Sequence, residues 1–373
     1  MIIKNVRVYR ENKKFEPGNI FIENGRFING ASDGKIIDGQ GLLAVPGLVD
    51  VHFHGCVGDD FCDGNLEAIA HIAEYEASVG VTSMAPATMT LSEEALEQIM
   101  ATAAAYKEDK GARFMGINME GPFISAAKKG AQAASHIRNC NIAEFRKLQE
   151  LSGGLIKLVD IAPENEGAME FIDEVHSEVG VSLAHTTADY ETAKMAYDRG
   201  ARHATHLYNA MPPFTHRAPG VIGAAHDSAH CRVELICDGV HIHPSVVRAT
   251  FDMFGDDRII LISDSMRATG MPDGNYTLGG QDVKVEGNTA TLVSDGALAG
   301  SVTNLMDCLK TAVKEMGIPL ESAIACATMN PAKAIGCYDR IGSIQPGKYA
   351  DLLLLDDSLN LRHVFIGGKE VSF

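Results

Sequence analysis

No run of apolar residues in this sequence approaches the roughly 18 needed to cross a bilayer. The opening Met1-Ile2-Ile3-Lys4-Asn5 also lacks the charged start and long apolar stretch of a secretory signal. A soluble, cytoplasmic protein is therefore expected. Positive charge is scarce: 32 Lys and Arg stand against 49 Asp and Glu, a net charge of −17. That balance argues against a phosphate-backbone footprint, so neither nucleic acid nor an anionic membrane is an expected partner. Any anionic substrate must be met by a local positive site. The eight cysteines (56, 62, 140, 231, 237, 308, 326 and 337) form no CxxC pair and no framework spacing, so they are read as reduced and mostly buried. Internal repeats and low-complexity tracts are absent as well.

What is present is a chain of 373 residues, 46% hydrophobic and 22% charged, long enough for one large α/β domain and a small accessory one. Both ends read as strands. Ile2–Tyr9 alternates, Ile20–Ile28 carries an Asn24-Gly25 hairpin signal, and Ala350–Leu355, Leu361–Ile366 and Lys369–Phe373 flank a Gly367-Gly368 turn. These predict one small β-sandwich assembled from residues 1–45 and 338–373.

Between them, residues 46–337 alternate strand and helix. Strands are predicted at Leu48–His54, Val81–Pro86, Arg113–Glu120, Ile156–Ala162, Val181–His185, His203–Leu207, Arg232–Asp238 and Arg258–Asp264. Helices such as Asn65–Ser78, Ser92–Tyr106, Ile142–Leu151, Ala168–Val179, Tyr190–Arg199 and Pro244–Phe254 lie between, several followed by a glycine stop at Gly80, Gly180, Gly200 or Gly255. A run of βα units of this length predicts an α/β fold, a (β/α)8 TIM barrel. Gly121–Cys140 reads as a long loop after the third strand, and Tyr276–Ala290 as a hairpin inserted after the eighth.

The first of these strands ends in His52-Phe53-His54. Residues at i and i+2 of a strand face one side, about 6.6–7 Å apart, so both imidazoles can aim at one divalent ion, which takes histidine nitrogen at about 2.0–2.1 Å. Two unrelated polar residues at a strand end would look the same. The other strand ends raise the metal reading, because catalysis in such barrels sits there. Glu120 ends the third, His185 the fifth, His206 the sixth and Asp264 the eighth. Three histidine or carboxylate ligands with an open position suit a zinc-like or ferrous ion holding a reactive water. Asp264, across the barrel mouth, is the expected base for that water. Cys56, two residues past His54, is not taken as a ligand, and His203 is read as a strand residue.

This set resembles the amidohydrolase superfamily: HxH on strand one, a bridging acid, single histidines on strands five and six, and an aspartate on strand eight. The fourth strand ends in Val159-Asp160-Ile161-Ala162-Pro163 with Lys157 only at its start, so the carboxylated lysine of many cyclic-amide hydrolases has no counterpart. Glu120 is the better bridge. Over almost the whole chain, Met119-Glu120-Gly121-Pro122-Phe123, Lys128-Lys129-Gly130-Ala131, Ala204-Thr205-His206-Leu207-Tyr208-Asn209-Ala210-Met211, Arg217-Ala218-Pro219-Gly220, Asp238-Gly239-Val240-His241 and Ser263-Asp264 look like the N-acetylglucosamine-6-phosphate deacetylases.

That resemblance implies hydrolysis of the acetamide of a phosphorylated amino sugar. It assigns a metal to Glu120, His185 and His206, and acid/base work to Asp264. It gives the phosphate to the backbone of Asn209 and Ala210 with Arg217 and His241, and the sugar to Ala131 and Leu298-Ala299-Gly300. It also implies a homodimer, with Arg217 reaching either its own or the partner's site. The guanidinium fork of Arg217 suits phosphate and backbone N–H groups in a turn make an anion nest. Some relatives carry histidine at Gln132, where it polarises the carbonyl; here an amide or the metal must do so, and nearby His136 is not assigned that task. Relatives differ at His52 and His54, and the presence of this pair predicts a second zinc or iron ion bridged through Glu120. The galactosamine epimer, deamination or cyclic-amide opening, and a catalytically inert scaffold are the alternatives.

Overall fold

The computed structural model describes residues 1–30, 34–107 and 110–372. Strands and helices alternate through its middle. Leu48–Asp50, Val81–Met84 and Arg113–Phe114 pair in parallel, and Ile117–Glu120, Ile156–Ile161, Gly180–Leu183, His203–Ala204, Arg232–Ile236 and Ile259–Ile262 form a second parallel ladder in chain order. A parallel bridge from Ala87 to Asn118 joins the two pieces. The sheet curls until its ends meet: Asp264 N–H donates to the His52 carbonyl at 2.9 Å and His54 N–H to the Ser265 carbonyl at 2.7 Å. The chain forms these strands because runs such as Ile259–Ile262 are buried throughout, the pattern of a sheet covered on both faces.

The strands are shorter than the sequence reading predicts. The first stops at Asp50, so His52 and His54 are not ladder residues, and His185, His206 and Asp264 also lie past their strands. The physical cause is that backbone groups here leave the ladder to bond across the mouth, as His54 N–H does with Ser265. Helices start at side-chain caps: Asn65 accepts from Ala68 N–H, Ser92 from Ala95, Asn141 from Glu144 and Asp189 from Thr192. Of the glycine stops, Gly80, Gly200 and Gly255 have φ of 94°, 119° and 66°. Gly180 instead opens the fifth strand, and the preceding helix already ends at Val175. Four further helices among the described residues, Gly220–Asp227, Leu305–Lys314, Leu320–Ala327 and Met329–Ala334, were not read from the sequence.

Apolar residues divide by face. Val49, Leu158, Ile236, Ile260 and Ile262 cluster with Ala332, Ile335, Cys337 and Ile341, while the opposite faces of the strands join the helices in the main core. Strands from residues 2–46 and 352–370 share one eight-stranded sheet, in which Leu352–Leu355 runs antiparallel to Leu43–Pro46. Asn24 and Gly25, with φ of 48° and 75°, close its hairpin as the Asn-Gly signal requires. Of the expected Lys369–Phe373 strand, Lys369 and Glu370 pair with Ile366 and Phe365, and Phe373 lies outside the described residues. The expected hairpin after the eighth strand is a three-stranded sheet, Gly274–Leu278, Gln281–Glu286 and Thr289–Leu292. Among the described residues no helix is long and apolar enough to cross a membrane.

Leu354 is fully buried in the cluster shared by the two chain ends. Leu354→Ala should lower the unfolding free energy by about 2–5 kcal/mol in urea denaturation. A loss within the ~0.5 kcal/mol typical of surface changes would show that the ends share no core.

Candidate active site

The residues that gather past the strand ends do so through unusual backbone. His185, His206 and Asp264 have φ of 43°, 30° and 49°, in the left-handed region that costs a non-glycine residue on the order of 1–3 kcal/mol where strained. The turn reverses each side chain from the strand edge into the mouth of the curled sheet. Five of the six expected residues are less than 6% exposed, and Asp264 is 7% exposed.

Their spacing is tight. Glu120 Oε1 lies 2.9 Å from His185 Nε2 and 3.1 Å from His206 Nε2, and the two Nε2 atoms are 3.1 Å apart. A triangle of that size surrounds an ion at about 2 Å. On the other side, His54 Nε2 is 3.4 Å from Glu120 Oε2 and 3.3 Å from Asp264 Oδ1, and His52 Nε2 is 3.6 Å from Glu120 Oε1. Two overlapping groups can therefore hold a metal, Glu120/His185/His206 and His52/His54/Glu120.

The hydrogen bonds show that the donor set fits a cation. His185 Nδ1 is 2.8 Å from the Lys128 carbonyl, which can only accept, so Nδ1 carries the proton. A neutral His185 then turns an Nε2 lone pair toward the Glu120 carboxylate, a contact that repels unless positive charge stands between them. His52 repeats the arrangement: Nδ1 is 2.9 Å from Glu234 Oε2, and Nε2 has no hydrogen-bond partner. Burial pushes the Glu120 carboxyl up, but the charge of His52 and the imidazoles of His185 and His206 outweigh it and hold the group well below the usual carboxylate range. Asp264 is likewise lowered: burial opposes ionisation, and His54 and His52 more than offset it. Asp160, fully buried and facing the charges of Glu234 and Glu120, is pushed well above its ordinary value.

The cluster opens into a cavity of about 290 Å³, which His54, Glu120, His185, His206 and Asp264 share with Ala131, Gln132, Asn209, Ala210, His241, Leu298 and Gly300. Three of the expected residues are placed less simply. Ala299 is fully buried in the apolar cluster of the inserted sheet and does not line the cavity, because neighbouring residues of an extended segment face opposite ways. Gln132 is engaged rather than free: its Nε2 donates to Glu120 Oε2 at 2.9 Å, and its Oε1 accepts from Thr90 N–H at 2.6 Å. Arg217 is exposed and lines a separate cavity of about 540 Å³ with Tyr190 and Pro219, bonded to its neighbour His216 at 2.7 Å.

The remaining candidates are also placed. His136 lies in a short turn outside the cavity. Cys56 is buried, and both burial and the charges of Glu76 and Asp59 push its thiol far up. Sequence reasoning missed Glu234, Asp160 and Asp238. The signal was available for two of them: Glu234 in Arg232–Ile236 and Asp160 in Ile156–Ile161 are acids in the middle of otherwise apolar buried strands, which is costly without a purpose. Met89 and Leu278, which also line the cavity, had no such signal.

Residues 43–371 match the family model for the amidohydrolase family. The chain belongs to this family. Amidohydrolases are metal-dependent, in keeping with the two His/Glu groups here. This amidohydrolase is 36% identical to N-acetylglucosamine-6-phosphate deacetylase of Bacillus subtilis, over 95% of this chain and 93% of the relative. It is 34% identical to N-acetylgalactosamine-6-phosphate deacetylase of Escherichia coli O157:H7, over 89% of this chain and 88% of the relative. Among solved structures it is similar to N-acetyl-D-glucosamine-6-phosphate deacetylase of Mycobacterium smegmatis, with a TM-score of 0.92 and 30% identity over 100% of this chain and 99% of the other.

His241 lines the cavity with Nδ1 2.7 Å from Asp238 Oδ2. Burial favours its neutral form, but the hydrogen bond and charge of Asp238 outweigh burial and raise its pKa. The pair's contribution to stability is thus full below the ordinary value of about 6.5 and lost as pH rises through the raised one. Asp238→Asn should move the His241 titration downward, followed by NMR of the imidazole C2 proton. An unmoved titration would mean that Asp238 does not set the charge of His241.

Proposed function

We propose that this amidohydrolase hydrolyses the acetamide of N-acetylglucosamine 6-phosphate, releasing glucosamine 6-phosphate and acetate. The observation that carries the reading is the convergence of Glu120, His185, His206, His54 and Asp264 in one cavity with Asn209, Ala210 and His241, with buried His52 facing Glu120 behind them. Relatives named for this activity support it, covering most of the chain. The relative named for the galactosamine epimer is the observation that keeps that epimer as a second reading. Deamination and cyclic-amide opening are weaker, since neither needs a phosphate pocket.

Glu120, His185 and His206 would hold one zinc or iron ion, and His52 and His54 a second bridged through Glu120. A bound divalent ion supplies Lewis acidity and lowers the pKa of a water from 15.7 to about 7. Asp264, ionised and 3.3 Å from His54 Nε2, accepts the proton from the attacking water. It then returns that proton to the departing nitrogen, so the amine leaves neutral. Gln132 donates to the second oxygen of Glu120 and accepts from Thr90 N–H, which orients the Glu120 carboxylate toward the metal it would hold.

Residues 206, 208 and 210 all have positive φ, and such curled backbone gathers N–H groups into an anion-binding concavity. There Asn209 and Ala210, with His241, would meet the phosphate; Ala131, Leu298 and Gly300 would line the sugar. Arg217 stands outside this cavity in a single chain, which supports a homodimer in which it reaches the partner's site. We further read the curled sheet as a closed (β/α)8 barrel at residues 46–337, with a small β-sandwich from 1–45 and 338–373, in a cytoplasmic enzyme with no nucleic-acid or membrane partner. The shared sheet of the two ends and the hydrogen bonds between the first and last parallel strands support that division.

Acetate release from N-acetylglucosamine 6-phosphate, its galactosamine epimer and the unphosphorylated sugar, with and without added zinc or iron, tests the reading. Metal-dependent release from the phosphorylated glucosamine derivative is expected, and none from any of the three would refute the function. Asp264→Asn should keep its metal while kcat falls by about 10²–10⁴-fold, the contribution of a positioned general base. Near-wild-type turnover would remove Asp264 from the proton transfers.

A further inference from the structure

Glu234 stands on the strand Arg232–Ile236 and its carboxylate is fully buried. Three donors surround it. Oε2 accepts from His52 Nδ1 at 2.9 Å and from the His206 backbone N–H at 3.1 Å, and Oε1 accepts from His203 Nε2 at 2.9 Å. Among the described residues its ion-pair partners are imidazoles alone. A buried carboxylate without an Arg or Lys partner is costly, and one that spans three donors is a constraint on all of them.

The consequence for His52 is specific. A carboxylate accepting at Nδ1 requires a proton there, so Nε2 is the nitrogen left to face Glu120 and Asp264, 3.6 and 3.8 Å away. Between two carboxylates that nitrogen is stable only with positive charge at it, a proton or a metal ion. The same oxygen holds the backbone of His206, a residue in left-handed conformation whose Nε2 belongs to the other metal group. His203, a strand residue with no place in the cavity, takes the opposite oxygen and fixes the rotation of the carboxylate.

We infer that Glu234 is a positioning residue for the second ion: it selects the Nδ1–H tautomer of His52 and thereby makes Nε2 a ligand. This rests on the two-ion reading given under Proposed function. A glutamine can stand in the same place with its amide oxygen toward His52 and His206 and its NH2 donating to His203, whose Nε2 then accepts with the ring proton on Nδ1, so Glu234→Gln removes charge and keeps shape, whereas Glu234→Ala frees the ring.

Zinc is titrated into the metal-stripped protein against a chromophoric chelator, for the parent, Glu234→Gln, Glu234→Ala, His52→Gln and the double variant His52→Gln/Glu234→Gln. Thermal unfolding of each zinc-free protein checks that it is folded. The parent should bind two equivalents. In Glu234→Gln the weaker equivalent should lose about 10–100-fold in affinity, the effect of removing a carboxylate behind a metal-bound histidine, while the tighter one stays within about twofold. Glu234→Ala should lose the weaker equivalent. In the His52→Gln background the glutamine should add no more than about twofold, since its route through the ring is gone. Two equivalents of unchanged affinity in Glu234→Gln would overturn the role of Glu234 and leave the two-ion reading standing, as would a weakening that persists undiminished without His52. One equivalent in the parent would sink the two-ion reading and this role with it.

Discussion

Lone pairs and carboxylate charges crowd one buried point, and much of this structure answers that crowding. Glu120 faces four imidazoles within 3.6 Å, and the orienting bonds at His185 Nδ1 and His52 Nδ1 turn their Nε2 atoms inward. In the low dielectric of a protein interior such contacts are strongly unfavourable unless a cation joins them. Left-handed backbone at His185, His206 and Asp264 adds a cost of its own. The surrounding fold must therefore be rigid enough to hold three strained residues in register, and the parallel strands that end just before them supply that rigidity.

The polar groups beneath the site form a graded system. The surrounding imidazoles hold Glu120 and Asp264 below the ordinary carboxylate range, while burial and the charges of Glu234 and Glu120 push Asp160 well above it in spite of His52. Carboxyl groups from three different strands are thus pushed apart, an arrangement that suits each to a different task. The net charge of −17 makes the local design of the cavity more consequential, since the whole-molecule field repels an anion.

The inserted sheet links this interior to the surface. Leu278 and Leu298 reach the cavity, and Gln281 Nε2 donates to the Ala131 carbonyl, so the segment between residues 274 and 300 walls the same space that Gln132 lines. Gln132 bonds both Thr90 and Glu120. It ties the wall to the charge cluster, a use of the amide that differs from touching substrate.

Much was legible in the linear chain. Alternating and continuous apolar runs locate the strands, and Asn24-Gly25 sets a hairpin by its left-handed preference. The histidines and acids announce a metal because few other needs place so many ligand types at successive strand ends. The sequence by itself determined the order of the parallel strands, the inventory of candidate metal-binding side chains and the family. It did not determine where the ladders stop: hydrogen bonds across the mouth, between residues some 210 positions apart such as His52 and Asp264, draw the ligands off their strands. Nor could it show that Glu234 and His203 support His52, that Gln132 clamps Glu120, that Ala299 turns away, or that Arg217 faces another cavity. These depend on side-chain directions after the sheet has curled, and curvature brings together residues whose spacing along the chain carries no trace of their distance in space.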